Sequence, residues 1–119
     1  MIRGVRGAIQ VMENERRSII AAAEALMNAL IASNQIRKEN VSAVFFTVTP
    51  ELNATFPAVV RASLSWDLVP FLCGLEIPVS GALERVLRVL ILFETDRDQD
   101  AIRHQYLGGA ESLRPDLKR

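Results

Sequence analysis

At 119 residues the chain has the length of one domain. Its 14 basic and 14 acidic residues cancel and its isoelectric point is near 6.6, which argues against nucleic acid or an anionic membrane as partner. Half of the residues are hydrophobic, a high share for so small a domain. An oligomer that covers part of the surface accounts for it; a membrane span does not, since no apolar run reaches the roughly 20 residues required.

The start, Met1-Ile2-Arg3-Gly4-Val5-Arg6-Gly7, lacks the long apolar core of a signal peptide, so a cytoplasmic protein is expected. Cys73 is the only cysteine and excludes an intrachain disulfide. No repeat, low-complexity segment or long linker divides the chain. Residues 1–119 read as a single domain with a mobile tail from about residue 108.

Residues 1–12 read as a strand, with Ile2, Val5, Ile9 and Val11 as β-prone bulk. Alternation puts Arg3, Val5, Gly7 and Ile9 on one face, and Gly4, Arg6, Ala8 and Gln10 on the other. Small neighbours leave room beside the Arg6 guanidinium, which is either an exposed edge arginine or a ligand contact. Residues 13–34 form the clearest helix: Ile19, Ile20, Ala23, Leu26, Met27, Leu30 and Ile31 recur at helical spacing. Asn34 is the expected C-terminal cap. A one-sided helix of this length is expected to lie across a sheet.

Residues 41–49 are an apolar strand that Pro50 ends. A short helix opens with Pro57 at a favoured first-turn position and runs through Ala58–Leu64. Arg61 on it is either solvated or a ligand contact. Residues 66–94 then read as two buried strands joined by a loop rich in Pro, Ser and Gly. Each run carries one charge out of keeping with its surroundings: Glu76 ends the first, and Arg88 sits inside the wholly apolar run from Val86 to Phe93. A guanidinium there is costly unless paired, and Glu76 on the neighbouring strand is the expected partner. The pair is either structural or the charged part of a dry, concave ligand site. Cys73 and Glu76 lie three positions apart, so a regular strand aims them at opposite faces unless Gly74 marks a bulge.

Residues 95–107 are polar and then mixed, with Asp98 the expected N-cap of a helical turn. His104 is the single histidine, so a structural role is expected rather than metal binding. The sequence contains no phosphate-binding loop, zinc spacing, nucleophile–histidine pairing or dinucleotide fingerprint. What remains is arginines, one glutamate and one tyrosine. Such a set suits binding an anionic molecule and stabilising charge in it.

These residues fall in a pattern. Arg3-Gly4-Val5-Arg6-Gly7-Ala8, Phe56-Pro57-Ala58, Val69-Pro70 with Cys73 and Glu76, and Gly81 with Leu83 and Arg88-Val89 follow one another. Gln99-Asp100, Ile102-Arg103-His104, Tyr106-Leu107 and Leu113-Arg114-Pro115-Asp116-Leu117 complete it. In this order and across nearly the whole chain, the blocks resemble the AroH-type monofunctional chorismate mutases. The resemblance implies an α+β fold, a mixed β-sheet packed with helices, assembled as a homotrimeric pseudo-α/β-barrel with active sites at the subunit interfaces. It implies an isomerase that converts chorismate to prephenate by an intramolecular Claisen rearrangement in phenylalanine and tyrosine biosynthesis. No metal or cofactor is implied.

By the same resemblance Arg88 donates to the breaking ether oxygen and a carboxylate, while Glu76 accepts from the ring hydroxyl with Cys73 nearby. Arg6 and Tyr106 hold the side-chain carboxylate. Phe56 and Arg61 come from the adjacent subunit, and Leu113 and Arg114 of the tail close over the site. The chain departs from the family in one informative place: Arg61 stands one residue closer to Phe56 than is usual. A one-residue deletion turns later helix positions by about 100°. The alternatives are a non-catalytic or divergent trimer that binds a small anionic metabolite, and a hydrolase of the imine-deaminase type.

Overall fold

The computed structural model describes residues 1–114. Five strands make one mixed sheet: β1 (Ile2–Gln10), β2 (Val41–Val48), β3 (Phe71–Leu75), β4 (Val86–Glu94) and β5 (Gln105–Leu107). Their spatial order is β3-β2-β4-β1-β5. β4 is antiparallel to both β1 and β2, whereas β2–β3 and β1–β5 are parallel. Helix α1 (Arg16–Asn34) and the short helix α2 (Val60–Leu64) complete the fold.

The central place of β4 explains its apolar run. Val86, Leu87, Val89, Ile91 and Phe93 are buried, and Leu90 and Leu92 of the opposite face are half-buried. One face of the sheet carries Val5, Val44, Phe46, Val89, Ile91 and Phe93, and meets Ile19, Ala23, Leu26, Met27 and Leu30 of α1 in a single core. Gly7 lets the helix come this close. A Cβ there would lie 2.8 Å from Leu26 and 3.0 Å from both Leu30 and the Gln105 carbonyl.

Residues 66–94 do not form the expected hairpin. β2 lies between β3 and β4, so the two apolar runs never pair. Residues 66–70 precede the strand rather than extend it, and Leu72 and Leu75 are exposed on what is an edge strand. Glu76 is thus two strands from Arg88, not on a neighbouring one. No bulge is needed at Gly74, because β2 and β3 pair in regular register from Val44/Phe71 to Val48/Leu75. The irregularity lies instead between Val41 and Ala43.

α1 ends at Asn34, but Gln35 is the left-handed capping residue. Asn34 is buried, donating from Nδ2 to the Leu30 and Arg103 carbonyls at 2.9 Å each and accepting at Oδ1 from Arg103 N–H at 2.8 Å. It docks the segment that leads into β5, a strand too short to be foreseen. Asp98 precedes a 3₁₀ turn over Gln99–Ala101 without a side-chain capping bond. The His104 ring accepts the Arg6 backbone N–H at Nδ1, 3.0 Å away, which gives it the expected structural part. Among the described residues no helix is long and apolar enough to cross a membrane.

Candidate active site

The face of the sheet turned away from α1 carries the polar residues. Strand register sets them in a row: Thr47 of β2 opposite Arg88 of β4, Arg88 opposite Ala8 of β1, and Ala8 opposite Tyr106 of β5. Ala8, between Arg88 and Tyr106, is fully buried under Tyr106 and its neighbours, and the two flanking strands stand roughly 10 Å apart at two strand spacings. Arg6 projects from the same face of β1, two residues from Ala8, and is exposed. Tyr106 is buried against Ala8, Val86 and Ala110, with Leu83 and Leu113 beside them.

Glu76 closes the row at its β3 end. Its backbone N–H continues the sheet by donating to the Val48 carbonyl at 2.9 Å. Its Oε2 accepts from the Thr47 hydroxyl, and its Oε1 lies 2.9 Å from Arg88 Nε. The Nε–H is buried and not directed at that oxygen, so the contact is an ion pair rather than a linear hydrogen bond. The Arg88 side chain remains 39% exposed, and among the described residues its terminal nitrogens make no hydrogen bond. They face outward as a fork suited to an oxyanion. Arg88, Glu76, Thr49, Leu75, Leu83 and Leu113 line a cleft of about 380 Å³.

The single chain unites some of the expected site residues and separates others. Arg88, Glu76 and Leu113 share the cleft, and Arg6 and Tyr106 share its face. Leu113 ends a 3₁₀ turn over Ala110–Leu113 that packs on Tyr106; Arg114 follows, and residues 115–119 of the expected tail lie outside the described residues. The Cys73 side chain is on the other face. It lines a second cleft, of about 500 Å³, with Val48, Leu52, Phe56 and Pro57, so only its backbone is available to the Arg88 side. Burial raises the Cys73 thiol above its ordinary pKa.

Phe56 borders that second cleft and is 72% exposed, an aromatic ring turned out of its own core. Arg61 on α2 bonds the Ala58 carbonyl at 3.3 Å and stands 4.0 Å from Asp67. Neither lines the cleft of Arg88 within one chain. Thr47 is the polar residue that sequence reasoning missed. Its signal was a hydroxyl among the apolar residues of β2, at the alternation of Phe45.

Fold and site together define an α+β domain whose open sheet face carries a cation–carboxylate pair and further cationic and phenolic groups. The family model for chorismate mutase type I matches residues 2–117. Chorismate mutase AroH of Thermus thermophilus is 44% identical over 119 residues, 99% of this chain and 98% of the relative. That of Bacillus subtilis (strain 168) is 40% identical over 118 residues, 98% of this chain and 93% of the relative. A solved chorismate mutase from Clostridium thermocellum matches with a TM-score of 0.92 at 34% identity, covering 93% of this chain and 99% of the other. The chain belongs to the chorismate mutase type I family.

Proposed function

We propose that this isomerase converts chorismate to prephenate, for phenylalanine and tyrosine synthesis in the cytoplasm, at a site that Arg88 and Glu76 organise. One observation carries the reading. An arginine fork and a carboxylate are held together at a largely apolar cleft, on the sheet face that also carries Arg6 and Tyr106.

Chorismate is a dicarboxylate with a ring hydroxyl and an ether bond that breaks as a carbon–carbon bond forms. Electrons move in a ring through a chair-like transition state, and no covalent intermediate or external proton is needed. Negative charge grows on the ether oxygen. Arg88 donates there and to a carboxylate; Glu76, fixed by Thr47, accepts from the ring hydroxyl. Arg6 and Tyr106 receive the side-chain carboxylate. Rate enhancement then comes from selecting the chair conformer and from donors already aimed at the developing charge.

The reading includes a homotrimer in which Phe56 and Arg61 of one subunit face the Arg88 cleft of the next. Two observations support it: Phe56 projects from its own chain, and the Arg88 face carries exposed Phe45 and Leu72. Leu113 already borders the cleft, and Arg114 continues from it toward the tail.

The test is the loss of chorismate ultraviolet absorbance on adding purified protein, beside Arg88→Ala. Wild type is expected to form prephenate, and the variant to lose about 10²- to 10³-fold in kcat or more. A folded wild-type protein that leaves chorismate unchanged sinks the reading and favours a trimer that only binds an anionic metabolite.

A further inference from the structure

The segment that carries Phe56 is held in an unusual way. Leu52 before it and Pro57 after it are buried. Between them, the N–H groups of Asn53 and Ala54 both donate to one side-chain oxygen, Asn14 Oδ1, at 3.0 and 3.1 Å. Asn14 Nδ2 in turn donates to Asn53 Oδ1 at 2.8 Å. Arg16, at the start of α1, donates from its guanidinium to Thr55 Oγ1 at 2.9 Å. Three consecutive residues ahead of Phe56 are thus tied to two side chains about 40 positions earlier. Phe56 itself has little of its own core to rest on.

We propose that Asn14 and Arg16 are positioning residues that set the place of Phe56, and through it the wall of the neighbouring subunit's cleft. This rests on the reading in which Phe56 serves that cleft. The physical reason is leverage. An exposed aromatic has no packing to fix it, so its backbone must be fixed instead. The Asn14 side-chain oxygen, in the bend that leads into α1, satisfies two backbone donors at once, and Arg16 ties the same loop to the first turn of the helix. A ring held in place excludes water and meets the substrate without ordering cost on binding. Releasing the loop therefore weakens substrate binding more than it slows the bound reaction.

The experiment is a double-mutant cycle in the full chain with Asn14→Ala, Phe56→Ala and both together. The readout is the dissociation constant of a stable bicyclic dicarboxylate analogue of the chair transition state, with KM and kcat for chorismate alongside. Asn14→Ala is expected to weaken analogue binding about three- to tenfold, the loss of one to two net hydrogen bonds. It should raise KM more than it lowers kcat, and have no further effect once Phe56 is alanine. Asn14→Asp keeps the acceptor for both N–H groups and should retain most of the affinity. Arg16→Ala should follow Asn14→Ala with a smaller effect.

Additive effects in the cycle would overturn the proposal, because Asn14 would then act by another route. Unchanged affinity in Asn14→Ala, with Phe56→Ala impaired, overturns it too while leaving the role of Phe56 intact. If Phe56→Ala is itself without effect, the role of Phe56 fails and the proposal with it.

Discussion

Arg88 stands on the central strand, yet its guanidinium is neither buried in the core nor neutralised face to face. The Glu76 contact leaves its terminal nitrogens pointing outward. Charge, and not length alone, is what a developing ether oxyanion requires. Arg88→Gln keeps a donor and much of the reach but loses the cation, so it should remain close to Arg88→Ala in the absorbance assay. Near-wild-type turnover in Arg88→Gln would mean that shape selection does the catalysis.

Glu51 supplies the pH-dependent feature at this scale. Its carboxyl is held below the ordinary pKa of 4.5, first by the Thr49 hydroxyl and then by the Arg85 backbone N–H. Arg85, at a left-handed φ of 52°, immediately precedes β4, three residues before Arg88. A lowered folded pKa means that the carboxylate stabilises the fold above the unfolded value. That contribution is lost as pH falls through the folded value. Wild type should therefore melt higher than Glu51→Gln at neutral pH, and the gap should close below about pH 4.5. The side chain is exposed, so the effect is small. Thermal melts of the two proteins across that range check it, and a gap independent of pH would contradict it.

At the scale of elements, two contacts govern how α1 sits on the sheet. Gly7 lies directly under the helix, and a methyl there meets the Leu26 and Leu30 side chains and a backbone oxygen that cannot yield. Gly7→Ala should cost about 1–3 kcal/mol by overpacking, read from the urea midpoint. Asn34 ties the last turn of α1 to Arg103 on the approach to β5. Asn34→Ala leaves the part-buried Arg103 N–H and C=O groups without this partner and should cost about 1 kcal/mol. Amide exchange at Arg103 should rise well before exchange in β4 does, since the loss is local. Because β5 carries Tyr106, the same variant should also weaken chorismate binding.

For the whole molecule, the sheet is covered by α1 on one face and, on the other, only in part, by the Ala110–Leu113 turn and Leu83 over Ala8, Val86 and Tyr106. A face that carries half-buried Leu90 and Leu92 and exposed Phe45 and Leu72 is suited to another copy of the chain. Sedimentation should give about three times the 13.2 kDa protomer mass. Complementation tests the shared sites more sharply. Phe56→Ala and Arg88→Ala proteins, each impaired, are mixed, unfolded and refolded together. In the proposed trimer, hybrids would contain interfaces with an intact Phe56 from one chain and an intact Arg88 from the next, so activity should rise above that of either parent. No gain on mixing would place both residues' work within one chain, against the interface reading.

Much of this was legible because short-range rules govern it. Alternation along β1 set the face of Arg6, helical spacing marked the buried side of α1, and the isolated charges at Glu76 and Arg88 named each other as partners. The opposite facing of Cys73 and Glu76 followed from the same rule, although the resemblance drew them together. Strand order was not legible. Nothing local in residues 66–94 distinguishes a hairpin from two strands parted by β2, since the pairings that decide it come from residues far apart in the chain. β5 escaped because three mixed residues carry no periodicity. Thr47 as the anchor of Glu76, and Asn14 as the clamp on residues 53–54, became visible only when distant segments met. The sequence by itself determined which residues bear charge, which faces they take on β1 and α1, and which family the blocks resemble. Only the tertiary structure decided that Thr47, Arg88, Ala8 and Tyr106 share one row, because that juxtaposition depends on strand register and not on neighbours along the chain.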